Sequence, residues 1–162
     1  MTPRGTGLLA RWGSASDLML DARDAAIRIG ILRDEVESIE QGGAHGQGVS
    51  AGPSDPTARR AIALARISEE KRAEAEALYE VIDRACDVLY GSDGMSGVAS
   101  LVDCAHADVL WHRYCGAETW AEVSARCHAS VSTCRRMHDT AMDTIDAHGL
   151  ADSAMGVGHA EA

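Results

Sequence analysis

The chain contains no Phe, only three Pro, a single Lys (Lys71) and no CxxC pair. Aromatic residues make up just 4%. The shortage of aromatics and of chain-breaking Pro favours helix over sheet. No stretch approaches the roughly 18–20 apolar residues of a membrane span. The first residues carry no apolar signal-peptide core. The expectation is a cytoplasmic chain with no membrane partner. Walker, HExxH and GxSxG patterns are missing. The glycines of 42–52 lack the Lys and strand context of a phosphate loop. The carboxylates mark no catalytic pair, so the reading is a non-enzyme with no cofactor. Basic residues are also short: 15 Lys and Arg face 25 Asp and Glu, a net charge of −10 over 162 residues. That balance counts at first sight against a nucleic-acid partner.

What is present is an Ala-rich apolar fraction of 46%, enough for a core and for an all-α fold. Residues 1–16, small and polar, are expected to form a flexible N-terminus. From Asp17 a heptad seam begins: Leu18, Ala22, Ala25, Ile29, Leu32, Val36 and Ile39. Ser16 is the expected N-cap, with Asp17 in the first turn, and Gly42-Gly43 ends the helix. Residues 42–54 read as a Gly-rich flexible loop. Asp55-Pro56 predicts a cap and a Pro at the first helical position. The second helix runs to Tyr90 with a seam of Leu64, Ser68, Lys71, Ala75, Leu78, Ile82, Ala85 and Leu89. Its middle, SEEKRAEAEA, is polar, and Glu80 with Arg84 offers an i,i+4 pair. Residues 17–91 thus form a two-helix coiled-coil arm, folded back on itself or paired with a second subunit. A third helix is expected over 97–115, with Gly116 as its stop. Shorter helices follow at 119–126 and 131–147, within a domain spanning 97–148. The tail 149–162 is expected to fray.

The five cysteines (Cys86, Cys104, Cys115, Cys127 and Cys134) are odd in number, which fits reduced thiols in a cytosol. Several lie near His, and Cys134 and His138 share a helix face, so a zinc site is the alternative reading. Small buried apolar side chains are the simpler reading, and no metal is expected.

Most information sits between Asp108 and Ile145. Thr119 caps a short helix with Trp120 and Val123 facing inward. Ser124 supplies a small residue where two helices cross, and residues 126–129 make a turn with Cys127 pointing in. Ser130 caps a new helix that buries Cys134, Met137, Ala141, Met142 and Ile145. Its opposite face presents Val131, Ser132, Arg135, Arg136 and His138. Short polar residues and paired arginines suit the first turns of a recognition helix, since Arg can grip guanine O6 and N7 with two hydrogen bonds.

This stretch resembles the region-4 helix-turn-helix of bacterial sigma-70 factors through Val109-Leu110, Arg113-Tyr114, Gly116, Thr119-Trp120, Val123, Ser130, Arg135-Arg136, His138, Ala141-Met142 and Ile145. With two long helices ahead of it, the chain is similar to small phage and prophage transcriptional regulators of the RinA/ArpU type. It departs from the pattern where Cys127 and Cys134 replace aliphatics, where His128 occupies a turn position usually small or Gly, and where Val131 replaces a long polar residue. The resemblance implies base reading by Val131, Ser132, Arg135 and Arg136. It implies phosphate contacts from Thr119, Thr133, Arg113 and Arg126, with His138 as a further phosphate contact or a polar surface residue. The implied partners are double-stranded DNA, a second copy of the chain as a homodimer or higher homo-oligomer, and RNA polymerase. Two other roles fit a helical protein of this kind: a phage small terminase subunit binding a packaging site, and an interaction module contacting polymerase without DNA. The charge objection weakens when divided. Residues 111–138 carry +2, while the rest of the chain carries −12.

Overall fold

Two heptad-spaced seams make two long helices. A computed structural model describes residues 6–43 and 56–156, in which all regular structure is helical. The elements are α1 (Thr6–Leu9), α2 (Ala15–Gly43), α3 (Pro56–Tyr90), α4 (Val98–Leu101) and α5 (Cys104–Leu110). A π-helical turn, Trp111–Cys115, continues α5; α6 (Trp120–Cys127), α7 (Val131–His148) and α8 (Leu150–Met155) follow. The chain is therefore all-α among the described residues. The loop segment 44–54 and the cap expected at Asp55 lie outside them. No described helix is long and apolar enough to cross a membrane.

The α2 seam is buried at Leu18, Ala22, Ala25, Ile29 and Leu32. It packs on α3 of the same chain, where Ala85 and Leu89 are buried and Leu78 and Ile82 lie against the same core. Arg28 pairs with Glu74 at 2.8 Å, and Glu35 pairs with Lys71. Numbers rise along α2 as they fall along α3, so the helices run antiparallel. Near the α2 N-terminus this seam merges with a larger core that takes in Leu9, Val98, Leu110, Ile145 and Leu150. The boundary expected between arm and C-terminal domain thus falls inside one continuous core. A smaller cluster of Val109, Val123 and Cys134, flanked by Trp120, Cys127 and Met137, sits under α6 and α7.

Several local expectations are corrected. Leu9, Trp12 and Ala15 are buried, and the Trp12 indole N–H donates to Asp21 Oδ2 at 2.7 Å. The described part of the N-terminus is thus anchored by hydrophobic burial. Ser16 does not cap α2. Ser14 Oγ accepts from the Asp17 N–H at 3.2 Å, and Asp146 Oδ1 on α7 accepts from the Ala15 N–H at 2.8 Å. The helix expected over 97–115 breaks at Asp103, whose carboxylate accepts the His106 N–H at 2.8 Å and starts α5 as an N-cap. Gly116 is right-handed at φ −84; the left-handed residue is Ala117 at φ 52. Gly116 is required for space, since a Cβ there would lie 2.9 Å from the His112 carbonyl oxygen. Glu80 is exposed, and Arg84 instead lies 3.2 Å from Asp87. The tail expected to fray forms α8 over part of its length, with Leu150 and Ser153 buried.

Candidate nucleic-acid interface

The caps expected at Thr119 and Ser130 are where α6 and α7 begin. Thr119 Oγ1 accepts from the Glu122 N–H at 3.3 Å, while Glu122 Oε2 accepts from the Thr119 N–H at 2.7 Å. This is a reciprocal capping box, closed from Thr119-x-x-Glu122 alone. Its carboxylate is held below the ordinary glutamate value by the Thr119 backbone N–H first and then the Thr119 hydroxyl. At the second cap, Ser130 Oγ accepts from the Thr133 N–H at 3.2 Å.

Between the helices, His128 adopts left-handed geometry at φ 52, ψ 40. Ser124 clamps the turn from both sides. Its carbonyl accepts the Ala129 N–H at 3.2 Å, and its hydroxyl donates to the Ala129 carbonyl at 2.5 Å. Cys134 is fully buried beneath the turn, and Cys127 is half-buried against the same cluster. The Cys127 thiol is pushed up by burial. Among the described residues no three His, Cys, Asp or Glu converge to hold a metal ion.

The residues singled out from the sequence divide into an exposed set and an engaged set. Ser132, Arg135 and Arg136 are exposed on the first two turns of α7, with Val131 half-buried beside them. Arg136 has no hydrogen-bond or ion-pair partner among the described residues. The Arg135 guanidinium carbon lies 5.5 Å from the centre of the Trp120 ring, and that of Arg113 lies 4.8 Å from the same centre. Trp120, expected in the core, is therefore a half-buried ring contacted by two cations. Arg113 is half-buried and donates to the Glu118 carbonyl at 2.9 Å. Arg126 is exposed, 3.3 Å from Glu118 Oε1. The other oxygen, Glu118 Oε2, lies 2.9 Å from His112 Nδ1, within ion-pair range but not aligned as a hydrogen bond.

Thr119 and Thr133 have hydroxyls already committed to the helix caps. His138 is corrected as a surface residue. Its Nε2 lies 2.7 Å from the Tyr114 hydroxyl, its Nδ1 lies 2.9 Å from Asp139 Oδ1, and its side chain is only 17% exposed. Its ring also meets the edge of Trp120 at 5.4 Å. His138 thus joins α7 to the π-helical turn and to α6.

One cation at this place escaped the sequence reading. Arg23, on α2, donates through Nη1 to the carbonyls of Arg113 at 2.5 Å and Glu118 at 3.2 Å. In sequence it is one charge among many on a helix face. Only the packing of α2 against the π-helical turn brings it to the Arg113 and Glu118 carbonyls.

The exposed face of α7 changes sign along its length. Arg135 and Arg136 come first along it, followed by Asp139, Asp143 and Asp146. No family model, no curated protein and no solved structure matches the chain.

Proposed function

We propose that the chain is a DNA-binding transcriptional regulator that reads duplex DNA with the first two turns of α7. The observation that carries this reading is the exposed set Ser132, Arg135 and Arg136. These side chains project from a helix capped by Ser130 and packed on α6 through Val123 and Cys134. Arg135 and Arg136 have the length and the donors for guanine edges or phosphates, and Ser132 suits a close approach. The α7 N-terminus adds the positive end of a helix dipole to the same face. Val131, half-buried, supplies apolar contact beside it. Arg126 flanks this surface as a phosphate contact, while the Thr119 and Thr133 hydroxyls hold the caps that present it.

The resemblance to phage and prophage regulators supports a role in controlling late phage genes in a bacterial cytoplasm, with RNA polymerase as a second partner. A charge of +2 over residues 111–138 is small for a duplex, because affinity grows with each phosphate neutralised. The reading therefore includes a homodimer or higher homo-oligomer engaging paired half-sites.

Selection of bound sequences from a random duplex pool, followed by mobility shift, tests the proposal. The wild-type chain is expected to enrich a defined site at low salt. Arg135→Ala with Arg136→Ala should weaken that complex by about 2–6 kcal/mol if each arginine contributes as a base contact. No enrichment by the wild-type chain, or undiminished binding by the double variant, would overturn it.

A further inference from the structure

Three arginines from separate parts of the chain meet at one place: Arg23 from α2, Arg113 from the π-helical turn and Arg135 from α7. Two of them share an acceptor, since Arg23 Nη1 and Arg113 Nη1 both donate to the Glu118 carbonyl, at 3.2 and 2.9 Å. Arg113 and Arg135 share Trp120, with guanidinium carbons 4.8 and 5.5 Å from the ring centre.

Among the described residues, no carboxylate pairs with any of the three. The Glu118 carboxylate faces His112 and Arg126. Asp139 faces His138, and Asp21 accepts the Trp12 indole N–H. Each guanidinium carries five N–H donors, yet Arg23 and Arg113 bond the described residues only through Nη1, and Arg135 makes no hydrogen bond to them. Burial, and then the charges of Arg23 and Arg135, push Arg113 below the ordinary arginine value. Three like charges gathered without a counter-charge repel one another, and an anion with several acceptor oxygens would turn that repulsion into attraction.

We infer that Arg23, Arg113 and Arg135 form a phosphate-binding notch around Trp120, and that it grips a backbone phosphate of the DNA beside the α7 face. This inference rests on the DNA reading and extends it. The long helix α2 becomes part of the nucleic-acid interface, and its packing against the π-helical turn aligns the notch with α7.

The notch is tested first without DNA. Inorganic phosphate is titrated into the full chain at constant ionic strength, and the arginine Nε–Hε and Trp120 indole signals are followed by NMR. Saturable shifts at Arg23, Arg113, Arg135 and Trp120 are expected. Their absence, or the same shifts with chloride, overturns the notch.

The source of the phosphate is tested on a duplex. Arg23→Gln should lower the slope of log affinity against log salt by about one, and Arg23→Lys should keep it. If Arg23 only supports the fold, both variants lower the melting temperature and leave the slope as it was; that result overturns the DNA contact. Failure of the wild-type chain to bind any duplex removes the DNA reading and this contact together. The phosphate titration then still decides whether the notch exists, so the two failures are told apart.

Discussion

Two non-glycine residues in the C-terminal half carry positive φ: Ala117 and His128, both at 52°. An L residue there brings its Cβ close to its own carbonyl oxygen, which costs roughly 1–2 kcal/mol. His128→Gly removes that contact at the price of some chain entropy. It is expected to stabilise the protein by about 0.5–1 kcal/mol. Thermal unfolding would then show a rise of about 2–4 °C per kcal/mol for a chain of this size. The opposite case is Gly97, at φ 72. A Cβ there would lie 2.6 Å from both the Leu89 carbonyl carbon and the Tyr90 nitrogen. Those are backbone atoms of α3 and cannot rotate away. Gly97→Ala should cost about 2–5 kcal/mol, combining left-handed strain with overpacking, and chemical denaturation measures it.

At the scale of elements, capping decides where α6 and α7 start. Thr119→Ala removes one half of the α6 capping box and should destabilise the chain by about 1 kcal/mol. The box also sets a pH dependence. The Glu122 carboxyl sits below the ordinary glutamate value of 4.5 because the Thr119 backbone and then its hydroxyl donate to the charged form. A depressed folded-state pKa gives stability that is fully present above the unfolded value and is lost as pH falls through the folded one. NMR titration of Glu122 should therefore give a midpoint below 4.5 in the native chain. In Thr119→Ala the midpoint should move up toward that value. Asp103 follows the same rule at the start of α5, held down mainly by the His106 backbone N–H.

At the scale of the molecule, one core joins segments far apart in sequence. Trp12 is buried near the N-terminus, and Leu150 is buried near the other end of the chain. Trp12→Ala should cost about 3–5 kcal/mol in lost burial and cavity formation, and it leaves the Asp21 carboxylate without its indole donor. If the N-terminal residues merely lay on the surface, melting would be unchanged. The same core carries the end of α2 to the π-helical turn, which is how Arg23 reaches the carbonyls of Arg113 and Glu118. Charge is divided on this scale too. The arm is largely acidic, and the face formed by the first turns of α7 is mildly basic.

What the sequence determined by itself was local. The seam of Leu18, Ala22, Ala25, Ile29 and Leu32 is legible because helical period and apolarity are properties of neighbours within a few residues. Thr119 and Ser130 are legible as caps for the same reason: each satisfies an N–H group three residues ahead. Arg135 and Arg136 could be placed on an exposed face from the pattern of buried residues around them. The tertiary structure decided what depends on contacts across the chain. It turned His138 inward onto Tyr114, placed Trp120 against two arginines, and capped α2 with an aspartate 131 residues away. It also anchored residues near the N-terminus that composition alone describes as loose. No local rule encodes such pairings, because burial of Leu9 and Trp12, or the approach of Arg23 to Glu118, exists only once separate helices share one core.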